Sequence, residues 1–430
     1  MRGRVGELIT ADLARALGRA AAATAGVDEP QVLIVRDTRE SGEMLEAALA
    51  AGIAEGGGHG LLGGVLPTPG AALLVRRLEL DLAVVVSASH NPFHDNGIKF
   101  FGSEGTKLSD DREAAIEAAL EEAPEPRAGH VRGLHGAEGD YLRELETRFA
   151  KLDLGGARIL LDCANGATYR VAPEIFRRLG AEIEVLAAQP DGRNINAGCG
   201  STHVERLAER ADGGANDVAF AFDGDGDRVL AVDRHGAVVD GDELLALAAL
   251  HLRAAGRLPG DGVAVTVMTN YGFHSAMKIA GIEVATTPVG DRHVLAALLE
   301  RGWALGGEQS GHIIETGFVP SGDGIAAALL TLEALAGGDL AERDAMAKLP
   351  QTLVNVEVAD ASEVDSVTPV AEAIERESQG LEGRGRVLVR PSGTEPLVRV
   401  MVEAPEQAEC AEVAERLVAV VERELGADSV

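Results

Sequence analysis

Two loops in this chain hold side chains whose types and spacing suit phosphoryl chemistry. Ser87-Ala88-Ser89-His90-Asn91-Pro92 follows the apolar run Leu82-Ala83-Val84-Val85-Val86, and Asp95-Asn96-Gly97-Ile98-Lys99 comes close behind. That order puts the Ser89 hydroxyl, a candidate nucleophile, on a loop at a strand end. Alone, Ser89 reads as a turn serine among Ser, Asn and Pro. The second loop, Asp223-Gly224-Asp225-Gly226-Asp227-Arg228, follows another apolar run at residues 218–222. Its alternating glycines let a tightly turned backbone direct three carboxylates to one point without Cβ crowding. A solvated acidic turn is the plain alternative, but three acids so gathered repel unless a cation joins them. A calcium EF-hand would need Gly at its sixth position and Glu at its twelfth, where Arg228 and Arg234 stand. Oxygen-only ligands beside a phosphate favour magnesium instead, and a phosphorylated Ser89 would supply the remaining ligand oxygens.

Further residues fit around such a centre. Lys99 lies in Gly97-Ile98-Lys99-Phe100-Phe101, where strand alternation turns it away from Ile98 and Phe100. It is a surface strand lysine or, beside a phosphate and Arg228, an ammonium tuned for proton transfer to a sugar hydroxyl. His90 is an orienting donor or an ordinary loop residue. Glu308, Ser310 and His312 stand in Gly306-Gly307-Glu308-Gln309-Ser310-Gly311-His312, whose glycines permit close ligand approach. Glu308 can accept from adjacent hydroxyls, or the loop is merely self-stabilising. Arg390, Ser392, Gly393 and Thr394 combine a guanidinium, two hydroxyls and accessible amides, a set suited to a phosphate monoester.

These loops require elements that hold them at matching places. Three segments repeat a strand, a small-residue turn, an amphipathic helix and a second strand ending in a Pro turn. The strands and helices fall at residues 32–35, 44–54 and 64–67; at 159–162, 172–179 and 183–190; and at 263–267, 273–280 and 282–288. Such alternation predicts mixed, mainly parallel sheets, whose functional loops lie at strand carboxyl ends. After each repeat one more strand ends in the Ser89, Asp223 or Glu308 loop. Beyond about residue 345 the pattern changes to strands near 353–358, 386–389 and 398–402 and helices near 367–376 and 408–425. The predicted architecture is three similar α/β domains, at 1–140, 141–240 and 241–345, and a smaller α+β domain at 346–430, arranged around a central cleft.

Composition narrows the class. No run approaches the roughly 18 apolar residues of a membrane span, and residues 1–11 lack a signal peptide's blocks, so a cytoplasmic protein without a membrane partner is expected. Cys163, Cys199 and Cys410 show no metal or disulfide spacing; they read as buried residues in a reducing compartment, with Cys199 alternatively an exposed thiol. The net charge of -30, from 69 acidic against 39 basic residues, argues against a nucleic-acid partner and looks like a halophile's solvation surface. An anionic substrate must then be captured by local cations and amides working against the global field.

With these loops in this order the chain closely resembles the α-D-phosphohexomutase superfamily, and within it the phosphoglucosamine mutase branch. The resemblance spans essentially the whole chain. It implies that Ser89 is phosphorylated, with His90 and Lys99 in its immediate site, and that Ser89, Asp223, Asp225 and Asp227 hold one Mg2+ with Arg228 beside them. It further implies that Glu308 and Ser310 contact sugar hydroxyls, that His312 is an acid or base, and that Arg390, Ser392, Gly393 and Thr394 anchor phosphate. The implied reaction interconverts glucosamine 6-phosphate and glucosamine 1-phosphate, with a sugar 1,6-bisphosphate as intermediate and activator, in a monomer or homodimer. Gly-Glu-Gln-Ser-Gly-His, Arg-Pro-Ser-Gly-Thr-Glu-Pro and Val289-Gly290-Asp291-Arg292 look more like the glucosamine branch than the glucose and mannose branches. Phosphomannomutase or phosphoglucomutase activity is the alternative. A metal-dependent phosphatase and a non-catalytic sugar-phosphate sensor are more distant, and Ser89, Lys99 and the three Asp argue against the sensor. The family usually opens with a Phe-Gly-Thr segment ending in Ile-Arg-Gly, where this chain has Met1-Arg2-Gly3. Arg2, the matching active-site arginine, is therefore expected to be poorly tethered, and upstream residues to raise activity or stability.

Overall fold

Short apolar runs, buried along their whole length, form the centre of each layered domain. Leu82–Val86, Val218–Phe222 and Gly262–Thr266 are buried throughout, as strands covered on both faces must be. The computed structural model describes residues 1–122, 127–364, 366–392 and 396–426. The first sheet has six strands in the order Arg2–Arg4, Asp95–Gly102, Leu82–Val86, Gln31–Arg36, His59–Val65 and His130–Gly133. The second has five, Val238–Val239, Val229–Asp233, Val218–Phe222, Arg158–Asp162 and Glu182–Leu186. The third has four, Glu283–Thr287, Gly262–Thr266, Leu305–Gly307 and Ile313–Glu315.

The predicted repeat is present, and it includes an edge the pattern of residues did not reveal. In every sheet the last parallel strand turns back into an antiparallel neighbour. Val86 pairs with Ile98, Phe222 with Val229, and Gly307 with Ile313. The Ser89, Asp223 and Glu308 loops are those three return connections. Helices Gly42–Glu55, Val171–Arg178 and Tyr271–Ala280 occupy the matching crossovers. The C-terminal part is a three-stranded antiparallel sheet in the order Gln351–Glu357, Leu397–Glu403, Arg386–Pro391. Helices Thr368–Gly380 and Gln407–Leu425 accompany it, sharing a core that includes Val398, Val400 and Leu417.

The described chain forms two compact units, Met1–Met268 with Ile282–Arg343, and Thr269–Gly281 with Asp344–Val430. In the second, helix Tyr271–Ala280 is tied down at its start: Tyr271 N–H donates to Glu403 Oε2 at 2.8 Å, and Leu349 N–H donates to Asn270 Oδ1 at 3.0 Å. Arg2 is held rather than loose, because strand Arg2–Arg4 pairs antiparallel with residues 95–97. Cys163, Cys199 and Cys410 are all buried, which removes the exposed-thiol reading of Cys199. No described helix is long and apolar enough to cross a membrane.

Within the first unit, helix Ala137–Arg148 docks on the third sheet's domain through a buried polar pair. Tyr141 Oη donates to Asp323 Oδ2 at 2.8 Å, while Asp323 Oδ1 accepts from Ala326 N–H at 2.9 Å and caps helix Gly324–Leu335. Burial pushes the Asp323 carboxyl up to about 6, against the pull of those donors. A folded-state value raised above the unfolded one contributes stability that is complete below about pH 4 and lost as pH rises through about 6. Asp323→Asn keeps an acceptor for the cap and removes the charge. The variant should therefore gain on the parent between pH 4 and pH 7, by on the order of 3 kcal/mol. Thermal midpoints of both proteins across that range measure the gap, and parallel profiles would contradict it.

Candidate active site

Ser89 is buried, 2% exposed, and its backbone is in the left-handed region at φ 52. A non-glycine residue holds that conformation only where its surroundings over-determine it. They do so here. Ser89 N–H donates to Ser87 Oγ at 2.9 Å, and Ser89 C=O accepts from Arg39 Nη2 and Asn196 Nδ2, both at 2.9 Å. With the peptide groups on both sides pinned, the hydroxyl is aimed at the second loop and donates to Asp223 Oδ2 at 2.6 Å. Gly224 makes this approach possible, since a Cβ there would stand 2.5 Å from Ser89 C=O.

The three aspartates converge as expected, with one ligand atom from each of Asp223, Asp225 and Asp227 within 4.8 Å of the others. Asp223 Oδ1 also accepts from Arg228 N–H at 3.2 Å. Asp225 Oδ1 and Asp227 Oδ1 are buried and have no hydrogen-bond partner among the described residues. Such oxygens are expensive to bury unless something electropositive meets them. A hard cation with oxygen ligands fits the set. Burial, then the charges of Asp227 and Asp225, push the Asp223 carboxyl well above its usual range.

Lys99 reaches this cluster from the antiparallel strand Asp95–Gly102, with Nζ donating to Asp225 Oδ2 at 2.6 Å and 3.7 Å from Asp227 Oδ2. Burial alone would lower its pKa, but Asp225 and Asp227 outweigh burial and raise it. Asp225 and Asp227 thus favour the ammonium form of Lys99. Thr68, unforeseen in the sequence, donates its hydroxyl to Asp225 Oδ2. His90 Nδ1 lies 3.4 Å from Ser89 Oγ, and burial, then Arg228 and Arg2, push this imidazole below its usual range. Arg2 Nη1 donates to Asn91 Oδ1 at 3.4 Å.

The third loop brings His312, 3% exposed, to the same carboxylates: Nδ1 is 3.7 Å from Asp227 Oδ1. On the ring's other side Nε2 accepts from Gly322 N–H at 3.0 Å and stands 3.8 Å from Asp291 Oδ2. The imidazole is therefore wedged against a metal-ligand candidate. Glu308 Oε1 accepts from Gly290 N–H at 3.0 Å, while Ser310 is exposed. In the second unit Arg390 pairs across the sheet with Arg399, and burial, then Arg399, lower the Arg390 pKa. Two guanidiniums at paired positions repel. Ser392 N–H donates to Leu397 C=O at 2.9 Å. Gly393 and Thr394 lie outside the described residues.

Arg39, Asn196, Thr68 and Arg399 were not legible as site residues. Arg39 follows strand Gln31–Arg36 in Asp37-Thr38-Arg39, a strand-end position like that of Ser89. That shared position was the available signal.

A buried serine hydroxyl aimed into a carboxylate triad on repeated α/β return loops defines a phosphoryl-transferring enzyme, and the chain belongs to the phosphoglucomutase/phosphomannomutase family. That family's α/β/α domains I, II and III match residues 1–127, 139–236 and 240–353, and its C-terminal domain matches residues 353–420. Over almost its whole length the chain is similar to curated phosphoglucosamine mutases. With that of Pelotomaculum thermopropionicum it shares 48% identity, covering 98% of this chain and 97% of the relative. With that of Desulforudis audaxviator the identity is 49%, over 98% of this chain and 96% of the relative. Among solved structures, a phosphoglucomutase/phosphomannomutase family protein from Burkholderia thailandensis superposes with a TM-score of 0.83 at 24% identity, covering 98% and 95% of the two chains. An Aspergillus fumigatus N-acetylphosphoglucosamine mutase in complex with GlcNAc-6P and magnesium superposes with a TM-score of 0.64 at 19% identity, covering 98% and 94%.

Proposed function

We propose that this enzyme interconverts glucosamine 6-phosphate and glucosamine 1-phosphate through a phosphorylated Ser89 and a glucosamine 1,6-bisphosphate intermediate. The observation that carries the reading is the 2.6 Å hydrogen bond from Ser89 Oγ to Asp223 Oδ2 inside the carboxylate triad. That contact supports a phosphoryl-carrying oxygen beside groups that would hold one Mg2+, namely Asp223, Asp225, Asp227 and the Ser89 phosphate. A magnesium ion bound there supplies charge neutralisation for a loose, electron-rich phosphoryl transition state. The phosphorus leaves Ser89 Oγ for the free sugar oxygen, whose proton departs through His312, or through Lys99, whose carboxylate partners Asp225 and Asp227 would then be engaged by Mg2+. After the bisphosphate turns over, its other phosphoryl group returns to Ser89. Arg228 and His90 flank the transferring group, Glu308 and Ser310 read sugar hydroxyls, and Arg2, Arg390, Ser392, Gly393 and Thr394 bind phosphate. We place the four functional segments in domains at 1–140, 141–240, 241–345 and 346–430.

A sugar 1,6-bisphosphate serves as activator by recharging Ser89 when the intermediate escapes. Three buried, free cysteines suit a reducing cytoplasm, and the enzyme works there as a monomer or homodimer. A coupled assay with glucosamine, glucose and mannose 6-phosphates, primed with bisphosphate, should show kcat/KM at least about 10-fold higher for glucosamine, as a buried polar contact to one substituent allows. Preference for the mannose or glucose substrate would move the enzyme to the other branch.

A further inference from the structure

Outside the groups assigned above, Arg39 is a closely held charge in the first unit. Its side chain is fully buried and its five guanidinium N–H donors are matched by acceptors. Nε donates to Asp37 Oδ2 at 2.8 Å. Nη2 donates to Ser89 C=O at 2.9 Å and Asn91 C=O at 2.8 Å, and Nη1 donates to Asp95 C=O at 3.0 Å and to Pro92 C=O. One cation therefore grips four carbonyls of the serine loop and its exit.

The counter-ion reaches the same loop by another route. Asp37 Oδ2 accepts from Ser87 Oγ at 2.6 Å, and Ser87 Oγ accepts in turn from Ser89 N–H at 2.9 Å. The Asp37–Arg39 pair thus holds both peptide groups of Ser89. A third grip comes from the next sheet's domain: Asn196, itself in the left-handed region at φ 56, donates from Nδ2 to Ser89 C=O at 2.9 Å and Asn91 C=O at 3.2 Å.

We propose that Arg39 is a positioning residue for phosphoryl transfer, with Asn196 as its partner: together they clamp the carbonyls of the serine loop and so set the line from Ser89 Oγ to Asp223. Neither side chain is required to touch substrate. A carrier that must give up and regain a phosphoryl group in each cycle needs its oxygen returned to one place, and a misplacement of about 1 Å can cost on the order of 100-fold in rate. Lysine cannot substitute, because its three donors on a flexible stem cannot match a planar fork of five.

This inference rests on Ser89 being the phosphoryl carrier, so the first measurement is intact mass of the wild-type enzyme after incubation with glucose 1,6-bisphosphate. Failure of wild-type Ser89 to acquire a phosphate would sink that underlying reading. With carrier status secured, Arg39→Lys and Asn196→Ala are compared with wild type for kcat, KM and the single-turnover rate of phosphoryl transfer from the loaded enzyme. The expected result is a transfer rate lower by about 10- to 100-fold in Arg39→Lys and about 3- to 10-fold in Asn196→Ala, with KM within about 2-fold. A wild-type transfer rate in folded Arg39→Lys, with only a lowered thermal midpoint, would overturn the proposal. Should Arg39→Lys fail to fold, Asn196→Ala decides by the same split: an unchanged transfer rate overturns the clamp.

Discussion

Ser89→Ala should reduce turnover by about 10,000-fold or more while leaving the fold intact, because removing a nucleophile abolishes the covalent route and leaves only binding and electrostatics. The substitution deletes one oxygen and leaves a β-carbon of the same size. The left-handed backbone at φ 52 is held by Ser87, Arg39 and Asn196 through peptide groups that alanine retains. Thermal midpoint is thus expected to move by no more than a few degrees. The check pairs a coupled assay at saturating sugar phosphate and bisphosphate with mass spectrometry of the protein. Wild type should carry one phosphate on residue 89 and the variant none. Substantial turnover by the variant would remove Ser89 from the chemistry.

The second large effect concerns Asp223→Asn, and its sign should reverse with the medium. Asp225 has Lys99 at 2.6 Å, and Asp227 has Lys99, Arg228 and His312 within 4 Å. Asp223 meets a hydroxyl and a backbone amide but no ion-pairing side chain within that distance among the described residues. Of the three it is the least compensated, consistent with its strongly raised pKa. In chelator at neutral pH the variant should melt higher than wild type, because asparagine bears neither the buried charge nor the cost of protonating it. With magnesium the order should invert, since wild type gains binding free energy that the variant cannot. Loss of a ligand should weaken cation binding by at least about 100-fold, beyond the effect of disturbing an outer partner. Calorimetric titration with Mg2+ and paired thermal melts test both halves. Equal Mg2+ affinity in the two proteins would remove Asp223 from the ligand set.

How far the fold could be read from the residues depended on what each inference needed. The strands at 82–86 and 218–222 were legible because complete burial leaves unbroken β-branched and apolar runs, and the loops after them because Ser, His, Asn and Pro end the first run and Asp and Gly end the second. The antiparallel return strands were not, since Ile98 and Val229 look alike whichever way the chain runs. Helix Tyr271–Ala280 shows a plain amphipathic pattern, yet its place in the compact unit with Asp344–Val430 rests on Glu403, more than a hundred residues away. Within the site, Ser89 and the three aspartates announce themselves by spacing. Arg39 does not, because a buried arginine and a surface arginine are the same letter, and the chain has many of the latter. His312 was visible as a candidate, but only packing shows both ring nitrogens engaged, one facing Asp227 and one accepting from Gly322. The distances from Lys99 to two carboxylates are likewise a product of packing that spacing does not show.

The three return connections also bear on how such a molecule can be altered. Because Val86 and Ile98, Phe222 and Val229, and Gly307 and Ile313 are already paired beneath each loop, the ladder closes before the chemistry begins. Residues above that closure can be exchanged, lengthened or transplanted from one repeat to another with little disturbance to strand register. Lys99, by contrast, stands on a ladder strand, and Arg39 and Asn196 grip the serine loop from other elements, so an exchanged insert must still meet those fixed partners.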